Sequence, residues 1–345
     1  MATSRDATAA DPQVRAPRPA ALRLPAEWEP HAATWLCWPH NRENWPDDLA
    51  EAEAEFEALV AALASSEPVH VLANAPPTST ALSRANVSLH IVASDDAWLR
   101  DTGPTFVWRG GDLVALDWTF NAWGGLYPPW DRDAEVAARV AALAGVPVER
   151  PGLVLEGGAF DGDGEGTLVC TESVALDAAR NPGRRLDEIE REFERWLGAE
   201  RVLWVEGELA GDTTAGHVDN MVRFTSPGRV ACGLPGVGEA LRGAKDARGR
   251  ALQVVDLPPP PRVERAGHPL PASYANFYVA NDLVAVPRYG APDDEAAIEV
   301  LRDLFPERRV VGLDCRALLG GLGSIHCLTQ PQPRPQPRRT GGTSR

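Results

Sequence analysis

The sequence predicts an α/β protein, and three observations support this fold class. Five segments carry the apolar spacing of amphipathic helices, and they begin near residues 48, 133, 187, 238 and 294. Short apolar runs with the length and composition of strands separate these segments. The last four helical segments begin 54, 51 and 56 residues apart, a spacing that is compatible with an internal structural repeat.

The helical prediction depends on apolar residues three and four positions apart, which lie on one face of a helix. Four segments show this spacing clearly: Ala52, Phe56, Leu59, Val60 and Leu63; Val136, Val140 and Leu143; Leu186, Ile189, Phe193 and Trp196; and Ile298, Leu301 and Leu304. Gly145 and Pro306 are suitable stops for two of these helices. The segment at residues 238–247 contains two glycines, which weakens the pattern there.

The strand prediction covers eight runs that are rich in Val, Leu, Ile and aromatic residues. They span residues 69–73, 89–93, 112–120, 167–176, 201–205, 217–224, 277–287 and 309–313. Apart from the proline run at residues 258–261, nothing between residues 21 and 330 resembles a linker. We therefore expect one catalytic domain over residues 22–333, a disordered leader over residues 1–21 and a disordered basic tail over residues 334–345.

The composition excludes several classes of protein. The chain has 345 residues, of which 44% are hydrophobic and 24% are charged, as in globular proteins. Its net charge of −15 disfavours nucleic acid and anionic membranes as partners and favours a small cationic molecule. The leader lacks the hydrophobic block of an export signal, so we expect a cytoplasmic protein. The five cysteines contain no C-x-x-C pair, which argues for free thiols.

Cys327 is the first candidate for chemistry, because it follows the glycine-rich stretch "GGLGSIH" at residues 320–326. A free cysteine needs a nearby base or cation to become a nucleophile. His217 opens the segment "HVDNMVRF", where a strand would place His217 and Asp219 on the same face. From these two residues alone, a structural His–Asp pair is the simpler explanation. The pair could also bind a metal, but no third ligand stands at a suitable spacing.

Three further segments combine polar and aromatic residues. In "DDAWLRDTGPTF" (95–106), Asp101 beside Trp98 could receive a planar cation, although a capped turn explains the pattern equally well. In "GLVLEGGAF" (152–160), Glu156 ends an apolar run, and the two glycines after it would permit close backbone approach. In "FNAWGGLYPPW" (120–130), Trp123 precedes two glycines and could line a site or pack in an aromatic loop.

Taken together, these segments resemble the agmatine deiminase family, also called the Porphyromonas-type peptidylarginine deiminase family. The resemblance begins at "LPAEWEPHAATWLCWPHNRENWP" (24–46) and continues through "DDAWLRDTGPTF", "FNAWGG", "LEGGAF", "GHVDN" and "YANFYVANDLVAVPRYG" to "GLGSIHCLTQPQP". It covers residues 22–333, and seven segments in the family's order are more specific than one motif. The resemblance implies a five-bladed α/β propeller, the fold also named pentein.

The resemblance also implies roles for individual residues. Cys327 would be the nucleophile and His217 the general acid and base. The carboxylates around the substrate guanidinium would be Glu156, Asp101 and Asp219. Three residues are candidates for further substrate contacts: Trp98, Trp123 and Asp212. Relatives often read "DDTDGH" before the catalytic histidine, whereas this chain has Thr213 and Ala215 where acids often stand, which weakens the inference about the far end of the substrate.

The implied reaction converts agmatine, a precursor of putrescine and other polyamines, into N-carbamoylputrescine and ammonia through a covalent cysteine intermediate. It requires neither a metal nor an organic cofactor. Deimination of free or peptidyl arginine, or amidino transfer to an amine, is the alternative on the same scaffold. A propeller that only binds a partner is the alternative outside enzymes. Whether the chain forms a homo-oligomer is left open.

Overall fold

The computed structural model describes residues 22–334. The predicted leader lies outside the described residues, and so does the predicted tail beyond residue 334. The described chain has nine α-helices: α1 (Leu49–Leu63), α2 (Leu99–Thr102), α3 (Ala122–Gly125), α4 (Val136–Ala144), α5 (Glu172–Ala175), α6 (Leu186–Leu197), α7 (Pro235–Leu241), α8 (Asp294–Leu304) and α9 (Ile325–Leu328). No helix among the described residues is both long and apolar enough to cross a lipid bilayer.

Nineteen strands and five short 3₁₀ helices complete the described chain. The strands are β1 (Leu22–Arg23), β2 (His31–Cys37), β3 (Val69–Ala73), β4 (Val87–Ile91), β5 (Thr105–Arg109), β6 (Asp112–Leu116), β7 (Val148–Glu149), β8 (Phe160–Gly162), β9 (Thr167–Thr171), β10 (Arg201–Val205), β11 (Val222–Ser226), β12 (Arg229–Cys232), β13 (Gln253–Asp256), β14 (Val263–Arg265), β15 (His268–Leu270), β16 (Tyr278–Val279), β17 (Leu283–Arg288), β18 (Arg309–Asp314) and β19 (Thr329–Pro333). The 3₁₀ helices are Ala81–Ser83, Asp133–Glu135, Gly157–Ala159, Val218–Asn220 and Leu318–Gly321.

Five sheets share one plan, and we call each of them a unit. In a unit, a first strand pairs antiparallel with a second, and a helical connection leads to a third strand parallel to the second. The units are β19–β2–β3, β5–β6–β7, β8–β9–β10, β11–β12–β13 and β16–β17–β18. Because parallel neighbours need a long crossover, each unit contains one of the five predicted helical segments. The α/β class is confirmed.

The helices lie where the apolar spacing predicts them. In α1 the predicted residues Phe56, Leu59 and Leu63 are buried, because they form the stripe that faces the core. The helix α4 ends at Gly145, whose φ of 68° is left-handed and suits a residue without a side chain. The segment near 238 also forms a helix, α7, despite its glycines.

The strand predictions differ from the structure at several places. The run at 112–120 is a strand only to Leu116, and the run at 89–93 is displaced to Val87–Ile91. The run at 167–176 is a strand only to Thr171, whose side chain accepts a hydrogen bond from the backbone of Val174 and begins α5. The run at 277–287 is a hairpin of β16 and β17. The prediction of a strand from residue 217 is wrong, because Val218–Asn220 forms a 3₁₀ helix and β11 begins only at Val222.

The fold brings together five segments that occupy the same place in their units, immediately before the first strand. They are α2 before β5, the 3₁₀ helix at 157–159 before β8, the 3₁₀ helix at 218–220 before β11, the residues before β16, and α9 before β19. The strand β19, at the C-terminal end of the described chain, pairs with β2 near its N-terminal end. This unit therefore joins the two ends of the described chain. The five predicted catalytic residues stand on or directly beside four of these five segments.

Candidate active site

A pocket at these segments contains most of the predicted site residues. Its volume, counted to its open mouth, is about 470 Å³. The lining residues are Asn44, Asp96, Trp98, Asp101, Trp123, Tyr127, Thr213, Thr214, His217, Asn220, Gly321, Leu322, Gly323 and Cys327. Glu156 and Asp219 do not line the pocket in this structure, because both side chains are fully buried directly behind it.

The backbone of Gly158 marks the point where the polar groups converge. A β-carbon added there would lie 2.6 Å from His217 Nδ1, 2.9 Å from Asp101 Oδ1 and 3.0 Å from Asp219 Oδ2. The amide N–H of Gly158 donates a hydrogen bond to Asp101 Oδ1 over 2.9 Å. Only glycine fits at this position, because three side chains of the site approach its backbone closely. That a ligand also lies against this backbone stays a prediction.

His217 is buried and lies among carboxylates. Its Nδ1 is 3.7 Å from Asp101 Oδ1, and its Nε2 is 3.5 Å from Glu156 Oε2. These separations are long for hydrogen bonds, and Nε2 has no hydrogen-bond partner among residues 22–334. Burial disfavours the imidazolium, but the carboxylates, Asp101 foremost, outweigh it and raise the pKa of His217 to about 9. The ring is therefore protonated at neutral pH.

Asp101 lies in α2 and is held from two sides. Its Oδ2 accepts a hydrogen bond of 3.0 Å from the indole of Trp123, and Oδ1 accepts from Gly158. Trp123 has a φ of 55°, which is rare for a residue with a side chain and is typical of functional sites. Burial raises the pKa of Asp101, although the charge of His217 opposes the rise.

Glu156 has a partner that the sequence analysis missed. The guanidinium of Arg180 donates from Nε to both oxygens of Glu156, over 2.9 and 3.1 Å, and neither side chain is exposed. Arg180 also donates to the carbonyl of Thr214 over 2.9 Å, which ties Glu156 to the loop before His217. Burial alone would raise the pKa of Glu156, but His217 and Arg180 hold it below its usual value.

Asp219 lies next to the thiol and is oriented by His326. Its Oδ2 is 2.8 Å from His326 Nδ1, while the other ring nitrogen of His326 is 2.9 Å from Glu27 Oε2. Asp219 Oδ1 is buried and has no hydrogen-bond partner among the described residues. Burial would raise the pKa of Asp219, but the hydrogen bond and charge of His326 hold it below its usual value. One acceptor of Asp219 thus remains unused.

Cys327 lies in α9 with its Sγ 3.7 Å from Asp219 Oδ2. The side-chain amide of Asn276 donates to Sγ over 3.1 Å. The amide oxygen of Asn276 accepts from Ser324 Oγ and from the backbone N–H of His326, over 2.7 and 2.9 Å, and so fixes the segment that carries the thiol. Burial raises the pKa of Cys327 well above its usual value, and the charge of Asp219 adds to this.

The glycines before Cys327 lie against aromatic rings. A β-carbon on Gly321 would lie 2.5 Å from the ring of Trp45, and one on Gly323 would lie 2.5 Å from the ring of Trp98. The two tryptophan rings pack 5.7 Å apart. The glycines therefore make room for tryptophans, and one of these, Trp98, lines the pocket. A substrate contact of Trp98 stays a prediction.

Asp212 is placed differently from the other predicted residues. Its carboxylate accepts hydrogen bonds from the hydroxyl of Thr214 over 2.8 Å and from the backbone N–H of Gly216 over 2.9 Å. Both oxygens thus stabilise the turn before His217, and the pocket is lined on this side by Thr213 and Thr214 instead. A substrate contact of Asp212 stays a prediction.

Sequence reasoning missed three residues that shape the site. Asn276 stands before β16, the place in its unit that the predicted site residues occupy in the other four, so the repeat was the signal that could have found it. His326 directly precedes Cys327 but carries no motif of its own. Arg180 has no sequence signal, because only folding brings it to Glu156.

Comparison with known proteins agrees with this geometry. The sequence profile of the Porphyromonas-type peptidyl-arginine deiminases matches residues 23–333. The agmatine deiminase of Ectopseudomonas mendocina is 39% identical over 93% of this chain and 98% of its own length. That of Stutzerimonas stutzeri is also 39% identical, over 92% of this chain and 97% of its own length. The structure of Enterococcus faecalis agmatine deiminase superposes with a TM-score of 0.86 at 32% identity, covering 92% of this chain and 97% of that one.

Proposed function

The chain belongs to the Porphyromonas-type peptidyl-arginine deiminase family, and on this premise we propose that it hydrolyses agmatine to N-carbamoylputrescine and ammonia. Two relatives named agmatine deiminase share 39% of their residues with it over almost their whole length. The observation that carries the proposal is the meeting of a thiol, an imidazole and three buried carboxylates, one of which has an unused oxygen. This arrangement suits a guanidinium.

A guanidinium is planar, positively charged and surrounded by N–H donors, so a receptor for it needs acceptors and negative charge. Asp219 Oδ1 supplies a buried acceptor without a partner among residues 22–334. Asp101 supplies a second carboxylate at the pocket wall. A bound cation would compensate these buried charges, whose burial is otherwise costly. The aromatic faces of Trp98 and Trp123 favour a cation over water in the same pocket.

In the first half of the proposed reaction, the thiolate of Cys327 attacks the central carbon of the guanidinium and forms a C–S bond. The imidazolium of His217 gives its proton to a terminal nitrogen, the C–N bond breaks, and ammonia leaves. Cys327 then carries a thiouronium that retains the rest of agmatine. A His217 pKa of about 9 makes the required proton available at neutral pH.

In the second half, His217 is neutral because it has given up its proton. It takes a proton from a water molecule, which attacks the thiouronium carbon and forms the new C–O bond. The C–S bond breaks, the new hydroxyl gives its proton to the departing thiolate, and N-carbamoylputrescine leaves. Cys327 is then again a thiol, and His217 is again protonated. One histidine thus serves as acid and then as base.

The thiol of Cys327 is protonated before the substrate binds, because burial and the charge of Asp219 raise its pKa. A bound guanidinium places a positive charge beside the sulfur and neutralises the field of the carboxylates. Both effects favour the thiolate, and the thiol proton is lost to solvent. The amide of Asn276 donates to the sulfur in addition. The nucleophile is therefore formed when the substrate is present.

The five units also support a proposed arrangement as the five blades of a propeller within one catalytic domain over residues 22–333. The antiparallel pairing of β19 with β2 joins the ends of the described chain in one unit. All five segments before the first strands contribute a side chain to one site: Asp101, Glu156, His217 with Asp219, Asn276 and Cys327. Such convergence is expected when repeated units surround a common axis.

Ammonia release tests the proposed function. Wild-type protein should be given agmatine, arginine and an arginine-containing peptide at equal concentrations, and the product from agmatine should be identified as N-carbamoylputrescine. We expect agmatine to be the best substrate by about 10²-fold, a difference of about 2.7 kcal/mol. If ammonia is released as fast or faster from arginine or the peptide, the protein has the alternative deiminase activity. Transfer of the amidino group to an added amine would assign the transferase activity.

A further inference from the structure

The outer end of the active-site pocket carries a carboxylate to which the proposed mechanism gives no role. We infer that Asp96, oriented by Asn44, binds the terminal ammonium group of the substrate. The inference rests on the proposed function and names the residue that makes this site select a substrate with two positive charges.

Asp96 lies at the boundary between the active-site pocket and a wider hollow that opens to the surface. The residues that line both spaces are Asn44, Asp96, Trp123 and Tyr127. Cys327 and Asp101, where the guanidinium would react, line only the pocket. A substrate whose guanidinium reaches Cys327 therefore directs its other end toward this boundary. Agmatine carries its primary ammonium at that end.

The hydrogen bonds of Asp96 leave capacity for a cation. Its Oδ1 accepts from the backbone N–H of Ala97 over 2.8 Å, and Oδ2 accepts from the side-chain amide of Asn44 over 2.6 Å. The indole of Trp98 also hydrogen-bonds this carboxylate. The two oxygens together can accept about four hydrogen bonds, so capacity for one further donor remains. Asp96 is only 9% exposed and forms no ion pair among the described residues. A buried carboxylate without a cation is costly, and a bound ammonium would offset that cost.

No other acid at the pocket competes for this role. Among the described residues, Asp101 and Asp96 are the only carboxylates in the lining. Asp101 is held by Gly158 and Trp123 at the reacting end. On the opposite side, the loop before His217 presents the uncharged residues Thr213 and Thr214. Asp96 is therefore the acid in the lining that remains for a second cation.

The position of Asp96 also explains how the site would reject arginine. Arginine carries an α-carboxylate beside its α-ammonium, and agmatine has no such group. A carboxylate brought to Asp96 would be repelled by it. Among the described residues the pocket lining offers no Lys or Arg to pair with that carboxylate, and its protonated His217 stands at the reacting end. Like charges at this end of the pocket thus disfavour arginine while the ammonium of agmatine is attracted.

The test compares two substrates that differ only in the terminal ammonium. Agmatine and butylguanidine share the guanidinium and the four-carbon chain, so the chemical step is the same for both. The test variant is Asp96→Asn, and the matched control is Asp95→Asn. Asp95 is the neighbouring acid and lines only the outer hollow, where its side chain pairs with Arg132. Steady-state ammonia release gives kcat and KM for each combination.

Wild-type protein should prefer agmatine over butylguanidine. In Asp96→Asn the KM for agmatine should rise about 10- to 100-fold with little change in kcat, because the contact exists in ground and transition states alike. Butylguanidine kinetics should stay unchanged, and Asp95→Asn should resemble wild type. An equal loss on both substrates, or no loss on agmatine, would overturn the inference. A wild-type protein without activity on agmatine would instead overturn the proposed function.

A second measurement needs no variant and covers the case in which Asp96→Asn does not fold. Burial raises the pKa of Asp96 to about 6, so the carboxyl loses its charge as the pH falls through that value. The neighbouring titratable groups are His40, Asp95, Asp133 and Cys37. The quantity to follow is the ratio of kcat/KM for agmatine to kcat/KM for butylguanidine. Ionisation of the reacting groups changes both values by the same factor, so it does not affect the ratio. It should fall as the pH decreases from about 8 to about 5, and a constant ratio would contradict the inference.

Discussion

Replacing Gly158 by Ala tests whether the close convergence of the site is essential. The backbone of Gly158 has an ordinary negative φ, so alanine causes no conformational strain there. The added β-carbon would instead lie 2.6 Å from His217 Nδ1, 2.9 Å from Asp101 Oδ1 and 3.0 Å from Asp219 Oδ2. The change therefore acts on the reacting groups themselves.

The size of the effect follows from these distances. Ordinary van der Waals contact with a β-carbon begins near 3.4 Å, so the His217 ring would have to retreat by about 0.8 Å from its present 2.6 Å. A displacement of about 1 Å in a reacting group costs about 10²-fold in rate, or about 2.7 kcal/mol of transition-state stabilisation. We expect kcat/KM for agmatine to fall by about that factor.

The assay is steady-state ammonia release, with two glycine variants for comparison. Gly152→Ala is the matched control, because its added β-carbon would have no heavy atom within 4 Å. Gly157→Ala should behave differently, since its β-carbon would lie 2.2 Å from the backbone oxygen of Arg100. A carbonyl of the main chain cannot turn away as a side chain can, so this variant should lose thermal stability. The reasoning is refuted if Gly158→Ala keeps activity within about threefold of wild type.

Three further predictions concern the residues around the thiol. Asp219→Asn should lower kcat/KM about 10²-fold or more, because a charged acceptor becomes a neutral amide. The control is Asp187→Asn at an exposed position, and an equal loss of kcat/KM in that variant would contradict the prediction. Asn276→Asp should lower kcat/KM by a similar factor and slow alkylation of Cys327 by iodoacetamide. The reason is that it replaces the hydrogen-bond donor 3.1 Å from Sγ by a carboxylate. Unchanged alkylation would show that Asn276 does not act on the sulfur. Burial raises the pKa of Cys327, so in the substrate-free protein this thiol should be alkylated slowly at neutral pH. Alkylation should become faster as the pH rises beyond the usual range of thiol pKa values. Rapid alkylation at pH 7 would show a preformed thiolate.

The α/β class and the connecting helices were predictable from the sequence because they depend on local apolar spacing. The residues Ile189, Phe193 and Leu197 of α6 are buried on one face and need no information from distant parts of the chain. The strand predicted from residue 217 failed for a specific reason. Residues 216–225 are all buried, so burial there does not alternate as on the surface of a sheet. Backbone hydrogen bonds such as Met221 N to Val218 O form a tight turn instead.

The site was predictable in its residues but only partly in its geometry. His217 and Asp219 both reach the cluster, although the strand that was to place them on one face does not exist. The partners that orient the carboxylates could not be predicted, because Arg180 and His326 meet Glu156 and Asp219 only through folding.

The end of the described chain is a second case in which pairing overrides local sequence. The segment "TQPQP" at 329–333 contains two prolines and no strand signal. It nevertheless forms β19 on the edge of the sheet, where a residue without a backbone N–H is tolerated. Pairing with β2 fixes the chain directly after Cys327, so this strand helps to position the thiol.

The most direct test of the account is intact-protein mass spectrometry of wild type quenched by acid during turnover of agmatine. We predict a mass gain equal to agmatine minus one ammonia, located on the peptide that contains Cys327. The gain and the release of ammonia should both be absent in Cys327→Ala, while the buried-cysteine control Cys232→Ala should retain them. Ammonia release by Cys327→Ala at a rate near wild type would contradict the account, and so would an adduct on another residue.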